Sequence, residues 1–215
     1  MFGLCVTVPI SCFRKGLARE YLETEPLPPP ATCYGFLLSL VGETNRSKHI
    51  GVRVTAAMIG EPELSVVLRT VWRVKRKPLG SSGNTRPDFQ QLLTGNQVVL
   101  WLDSSDESSS SALTLEKRVR SLVYDRQYAA VSRFGGLSLG ESTHLVDEVS
   151  PFRSSPDTRG RTFLLSKTGR ITLPVWVDHV GSAKTNFVTG DLQAGSIAEP
   201  ELWQLPRIEP KVDSK

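Results

Sequence analysis

Between Arg69 and Arg86 the chain carries six basic residues, Arg69, Arg73, Lys75, Arg76, Lys77 and Arg86, and no acidic one. Six positive charges in one extended segment would hold phosphates by a strong, salt-sensitive attraction that does not read sequence. The glycines and serines of PLGSSGN let main chain come close to a polyanion. The plainer alternative is a solvated edge strand that its Lys and Arg keep from aggregating. A second cluster is Arg133 with the FGGLSLGES that follows it. Gly135 and Gly140 are spaced as in a nucleotide-binding G-x-x-x-x-G-K loop, but Glu141 stands where the lysine is required, and a carboxylate there repels the nucleotide. ATP hydrolysis is therefore rejected. What remains is a loop whose N–H groups could hold a backbone phosphate beside Arg133, or one that is glycine-rich for turn geometry alone. Arg14, Lys15 and Arg19 form a third basic group in SCFRKGLARE.

Acid–base chemistry has fewer candidates. Lys48 and His49 with Tyr34 could in principle cleave RNA without a metal, since that reaction needs a positioned imidazole with Lys or Tyr nearby. His49, His144 and His179 lack the i, i+4 spacing of a helical metal site, and Cys5, Cys12 and Cys33 lack a C-x-x-C spacing and an even count. Reduced structural cysteines, satisfied histidines, and neither metal nor cofactor are expected. Tyr34, Phe36 and Phe134 are candidates to stack on a base, with core packing the ordinary role of each.

These groups need elements to position them. LCVTVPI at 4–10 reads as a first strand. PLPPP then leads into a helix with Tyr34, Leu37, Leu38 and Val41 on one face, and proline at the first helical turn loses no hydrogen bond. GVRVTAAMI at 51–59 suggests a second strand, and Pro62 breaks the chain before a third. In SVVLRTVWRVK the residues Val66, Leu68, Thr70, Trp72 and Val74 predict a core face, and the alternate face is partly basic. RKPLGSSGNTR is a hairpin tip or projecting finger, and the continuously apolar QVVLWLD at 97–103 predicts a central strand. DSSDESSSS is expected to be a mobile acidic loop, and Thr114 to cap a helix that buries Leu115, Val119, Leu122 and Val123. A closing strand is expected in the glycine-rich stretch after it. TFLLS and ITLPVWVDHV continue as strands around a turn at Lys167–Arg170, and the polar residues after Leu205 are expected to fray. Strand, helix, strand, strand, helix, strand is the order of an α+β, ferredoxin-like domain, with helices layered on an antiparallel sheet.

The bulk numbers are consistent with one core. A chain of 215 residues with 39% hydrophobic content buries one domain or a domain with a small appendage. The formal charge is only +4, so the cationic character matters through its clustering. No apolar run approaches the roughly 20 residues that span a bilayer, and the start lacks a basic n-region, so a cytoplasmic protein is expected.

PPPATCYGFLLSLVGE at 28–43 resembles the first-helix signature of the Cas-five proteins of type I CRISPR Cascade complexes. RPDFQQLLTGNQVVLWLD and GGLSLGES resemble, in order and spacing, the segment forming the family's central strand and its glycine loop. The resemblance spans about residues 1–150. It implies an RRM-like domain of the RAMP superfamily at 1–150 with a basic thumb at about 73–96, a β-rich extension at 151–205 and a frayed tail at 206–215. The function implied is non-catalytic: holding the 5′ repeat-derived handle of the guide crRNA, and capping the backbone filament beside the large subunit in RNA-guided DNA targeting, an antiviral ribonucleoprotein of prokaryotic cytoplasm. Implied RNA contacts are Arg14, Lys15, Arg19, Tyr34, Arg73, Lys75, Arg76, Lys77, Arg86, Arg133, Phe134, Gly135, Gly136 and Ser138. The implied partners are the crRNA, the backbone and large subunits, nearby target DNA and, if the system is tied to a Tn7-like transposon, transposition proteins. The subtype implied is I-B or a relative. Relatives of subtype I-C cleave the guide precursor with a Tyr, Lys and His set that lies later in the chain than Lys48 and His49. A crRNA-processing ribonuclease and a subunit that touches only protein are the alternatives.

Overall fold

The computed structural model describes residues 1–16, 21–72, 78, 80–108, 113–128, 131–133 and 135–211, with the side chains of Val71 and Trp72 outside the description. The strands are β1 (Phe2–Ser11), β2 (Tyr21–Leu22), β3 (Arg53–Ile59), β4 (Glu63–Trp72), β5 (Thr85–Asp103), β6 (Glu148–Pro151), β7 (Arg159–Leu165), β8 (Ile171–Trp176) and β9 (Asn186–Ser196); the helices are α1 (Pro30–Leu40) and α2 (Leu115–Tyr124). One sheet runs β6-β1-β5-β3-β7-β9-β8, with β2 and β4 also paired to β5. All these pairings are antiparallel except β2 with β5. The mixed helix and antiparallel-sheet class expected from the sequence is the class observed.

Alternation explains the layers. Leu4, Val6 and Val8, Val54, Ala56 and Met58, and Val98, Leu100 and Leu102 bury on the face covered by both helices. Ala57, Val99 and Trp101 bury on the other face, under Phe152, Ile197 and Leu205. QVVLWLD is continuously apolar because β5 is covered on both sides and flanked by β1 and β3. Gly3 lies opposite Trp101, where a Cβ would stand 2.6 Å from the indole, so only glycine makes room for that ring. α1 is more enclosed than its one-faced pattern implied: Cys33, Phe36 and Leu40 are buried along with Tyr34, Leu37 and Leu38. α2 buries the four residues expected of it, and the Thr114 hydroxyl accepts from Lys117 N at 3.4 Å.

β5 outruns its neighbours. Its last rung with β1 is Ser11 opposite Leu93, so residues 85–92 continue as a ribbon with β4, touched by β2 at Phe89 and Gln90. Eight residues at about 3.3 Å each carry the ribbon roughly 26 Å past the sheet. The ribbon begins at Glu63, ten residues before the start expected for the thumb, because the chain turns at Gly60, φ 64°, and Pro62. Its faces also differ from expectation. Val66 and Leu68 are exposed, at 50% and 64%, because the helix layer does not reach the ribbon. Arg69, on the alternate face, is partly buried.

Three further expectations are corrected. The closing strand is β6, beyond the glycine-rich stretch rather than inside it. Residues 206–211 are not frayed: Val54 N donates to Pro206 O, Ile208 N donates to Val52 O, and Ile208 is fully buried. That pairing, together with β7 joining β3, makes 151–211 a continuation of the same sheet. The acidic loop is anchored where it is described, with Asp106 on Arg53 at 2.8 Å and Ser108 N donating to Ile50 O. Its residues 109–112 lie outside the described residues.

Gly160 is the tightest point of the β3–β7 seam, where a Cβ would lie 2.0 Å from Met58 O. Gly160→Ala is expected to cost about 1–3 kcal/mol, as overpacking generally does, read as a lower urea midpoint at unchanged slope. An unchanged midpoint would show that this seam does not limit stability.

Candidate nucleic-acid interface

α1 starts without a side-chain cap. Pro30 is its first residue, and the Pro29 carbonyl accepts from both Thr32 N and Cys33 N, at 2.8 and 3.0 Å. The three prolines bring no N–H of their own, so Ala31 alone has an unspent amide in this turn. A helix N-terminus ordinarily offers several unpaired amides to a phosphate; here the prolines remove most of them. What they supply is a fixed entry angle.

Beside that turn, Thr32 and Gly35 of α1, Ser138 and Gly140 of the glycine loop, Arg46 and His179 line a groove of about 320 Å³. Arg46 is held firmly. Its carbonyl accepts from Tyr34 Oη at 2.6 Å, and its guanidinium lies 4.0 Å over the Trp176 ring. Tyr34 is itself only 2% exposed, with its ring against Trp176, so it positions Arg46 and has no face open to a base. Arg46 escaped sequence reasoning because it lies in no charge cluster or periodic pattern, and His179 was weighed there only as a metal ligand.

The glycine loop folds as a tight turn on itself. Val146 N donates to Leu137 O, Leu139 N to His144 O and His144 N to Glu141 O. His144 Nδ1 accepts from Cys12 N at 3.2 Å and Glu141 N at 3.1 Å. Two of the loop's amides, those of Leu139 and Glu141, which the sequence left open for a phosphate, are therefore spent internally. Gly140 has φ 103° and would bring a Cβ within 2.9 Å of Cys12 O, which accounts for glycine there. Gly136 packs against Leu145. Arg133 and Gly135 line a different cleft, of about 530 Å³, with Tyr128, Leu122 and Glu148. The structure thus separates Arg133 from Ser138.

Arg14 pairs through its backbone with Thr24, and Lys15 lies 3.8 Å from Glu23, both beside the base of the ribbon. Arg86 sits on the ribbon with its guanidinium on Asp88, 3.1 Å away, so its charge is partly compensated. Arg19, Arg73, Lys75, Arg76, Lys77 and Phe134 lie outside the described residues.

The groups considered for acid–base cleavage form an ion-pair network. His49 is fully buried; its Nε2 faces Arg118 Nη1 at 3.1 Å, and its Nδ1 faces Glu107 Oε1 at 2.5 Å. Arginine only donates, so the ring hydrogen sits on Nδ1 and points at Glu107. Glu107 also accepts from Leu115 N at the start of α2, while Arg118 binds Val41 O at the end of α1. Lys48 is held by Glu43 at 2.8 Å, as is Arg118 at 2.6 Å. The network fastens the two helices and two loops together. No group of His, Cys, Asp and Glu among the described residues is placed to hold a metal, and burial pushes the thiols of Cys5, Cys12 and Cys33 up. No helix is long and apolar enough to cross a membrane among the described residues.

No family model matches the sequence. The chain is 47% identical over 211 residues to the "CRISPR-associated protein Cas5" of Myxococcus xanthus (strain DK1622), covering 97% of each chain. Among solved structures it is similar to a chain of a "CRISPR RNA-guided surveillance complex", with a TM-score of 0.61, 10% identity, and 94% of this chain and 95% of that one covered. It is also similar to a structure described as "Crystal structure of Cas protein", with a TM-score of 0.53, 11% identity, and coverage of 91% and 94%. At these identities the structural likeness speaks to the fold alone.

Lys48 and Arg118 hold the Glu43 carboxyl down to about 2 from its ordinary 4.5. A depressed carboxyl pKa contributes stability that is fully present above pH 4.5 and disappears as pH falls through 2. Glu43→Gln is expected to lose about 1–2 kcal/mol at pH 7, the scale of a hydrogen bond to a charged group. Urea unfolding across pH should show the gap between the proteins closing below pH 4.5. A constant gap would show that the ionised form of Glu43 is not what the network uses.

Proposed function

The chain belongs to the family of the CRISPR-associated protein Cas5, and from that premise we propose that it is a non-catalytic subunit of a type I Cascade complex. It holds the 5′ repeat-derived handle of the crRNA and caps the backbone filament beside the large subunit. The observation that carries this reading is the ribbon of β4 and β5, which leaves the sheet and whose connecting segment in the sequence is RVKRK at 73–77. A basic projection suits a single polynucleotide strand, gripped through its phosphates. The groove lined by Arg46, His179 and Ser138 offers a second surface of the right chemistry on the body of the protein. The order β6-β1-β5-β3, with one helix in each half, supports a ferredoxin-like core of the RAMP kind, on which the ribbon is an insertion. The engagement of both ring nitrogens of His49 within a buried network supports a binding role over guide processing.

Replacing Lys75, Arg76 and Lys77 together with Gln is expected to weaken assembly with crRNA and the partner subunits. If all three reach phosphates, the slope of log affinity against log salt should fall by about 2, and the deficit should shrink as salt rises. Crosslinking of the assembled complex should place this chain on the handle. An unchanged complex at low salt refutes the ribbon's role, and crosslinks confined to the spacer refute the handle.

A further inference from the structure

β4 has a neighbour on one side only. Its register with β5 runs unbroken from Glu63 opposite Thr94 to Trp72 opposite Thr85, and it pairs with no other strand among the described residues. In an antiparallel pair every second residue turns its N–H and C=O away from the partner. Beyond Glu63, whose carbonyl accepts from Thr94 Oγ1, no hydrogen bond reaches the main chain of β4 from outside the ribbon among the described residues. At Leu93 and Thr94, β5 has β1 on one side and β4 on the other, so β4 lies on the side of β3. There β7 flanks β3 as far as Ile59, opposite Gly160, and Gly60 N donates to Arg159 O. No strand of the described residues continues the line of β7 beside β4.

Sheets ordinarily guard such an edge by brevity, a proline, lysines or a bulge. β4 has none of these: it is ten residues long, ELSVVLRTVW, its register does not shift, and its one cation, Arg69, is partly buried. Its side chains add to the exposure. Leu64, Val66 and Leu68 are exposed on one face, Leu68 stands opposite Phe89, and Phe89 stands opposite Tyr21 with the two rings 6.2 Å apart. At the foot of that face Pro26, Leu27, Pro62, Leu64, Leu93 and Leu192 line a cleft of about 240 Å³. On its rim Glu61 is held by Arg161, whereas Glu63 is exposed and has no ion-pair partner among the described residues.

An open edge is matched by another main chain, and an apolar face by apolar side chains. An extended polypeptide supplies both. RNA has no peptide groups to offer, and an uncharged face gives its phosphates no hold.

The geometry points to β4 as the docking edge for an extended segment of a neighbouring protein subunit, added to the ribbon as a further strand. Alternate apolar side chains of that segment lie beside Leu64, Val66 and Leu68, one of them seats in the cleft at the foot, and a Lys or Arg next to it meets Glu63. The proposal rests on the reading of the chain as a Cascade subunit and divides the ribbon between two partners, the tip for RNA and the edge for protein.

Amide hydrogen exchange is followed in the isolated chain and in the complex assembled with crRNA and the partner subunits. Every second amide of β4 is expected to exchange fast in the isolated chain, to stay fast with crRNA alone, and to slow at least about tenfold in the complex. Val66→Lys combined with Leu68→Lys should leave the melting temperature of the isolated chain unchanged and weaken its incorporation about tenfold, the scale of a lost interface anchor. Amides of β4 that stay fast in a fully assembled complex overturn the docking edge and leave the subunit reading standing. Failure of the natural chain to assemble overturns both. Protection by crRNA alone would assign the ribbon face to RNA, and protection that grows with the concentration of the isolated chain would assign it to a second copy; either overturns the proposal. A lower melting temperature in the double variant would place Val66 and Leu68 in the ribbon's own packing and overturn the apolar contact.

Discussion

Strand β5 is the constraint on which the rest of the molecule depends. From Val98 to Leu102 it lies between β1 and β3 and carries core side chains on both faces. From Thr85 to Leu92 the same strand is the spine of the ribbon. Gly95, with φ 72°, lies near the change of partners, where a side chain would be strained. Because one continuous strand serves both parts, the direction of the ribbon is fixed by the packing of the core. The ribbon needs no separate hinge or fold of its own.

A second fastening works at right angles to the first. Glu43, His49, Glu107 and Arg118 tie the end of α1 to the beginning of α2 through side chains that also satisfy main-chain groups at both helix termini. Buried ion pairs add little net stability over apolar packing, but they tolerate few alternative arrangements, and each partner left alone is costly. The network therefore fixes geometry more than it adds cohesion. It also accounts for the acidic run at 103–108, whose composition alone looks like a solvated loop.

Local patterning made the helices, the central strand and the Thr114 cap legible, because each is decided by neighbours in sequence. Two kinds of information were not local. The outward face of β4 looked like core because its alternation is sound, but burial depends on whether a helix lies overhead, and none reaches Leu64, Val66 or Leu68. The segment after Leu205 looked polar enough to fray, yet one buried Ile208 and three main-chain hydrogen bonds to the 51–54 segment hold it. Of the site, the charge clusters were visible and their grouping was not. Ser138 faces the α1 groove while Arg133 faces another cleft, and Arg46 owes its position to Tyr34 and Trp176, residues far from it in pattern.

The proline entry to α1 has a consequence for how the molecule responds to its surroundings. A helix begun by a carboxylate cap shifts its balance with proton concentration and dissolved ions, since the capping charge is titrated and screened. Pro28, Pro29 and Pro30 begin this helix by covalent ring closure, with the Pro29 carbonyl bracketing the first turn. Ring torsions are indifferent to electrolyte. One wall of the groove thus keeps its shape across ionic conditions that screen the basic side chains of the ribbon, so that form and charge on the two surfaces vary independently.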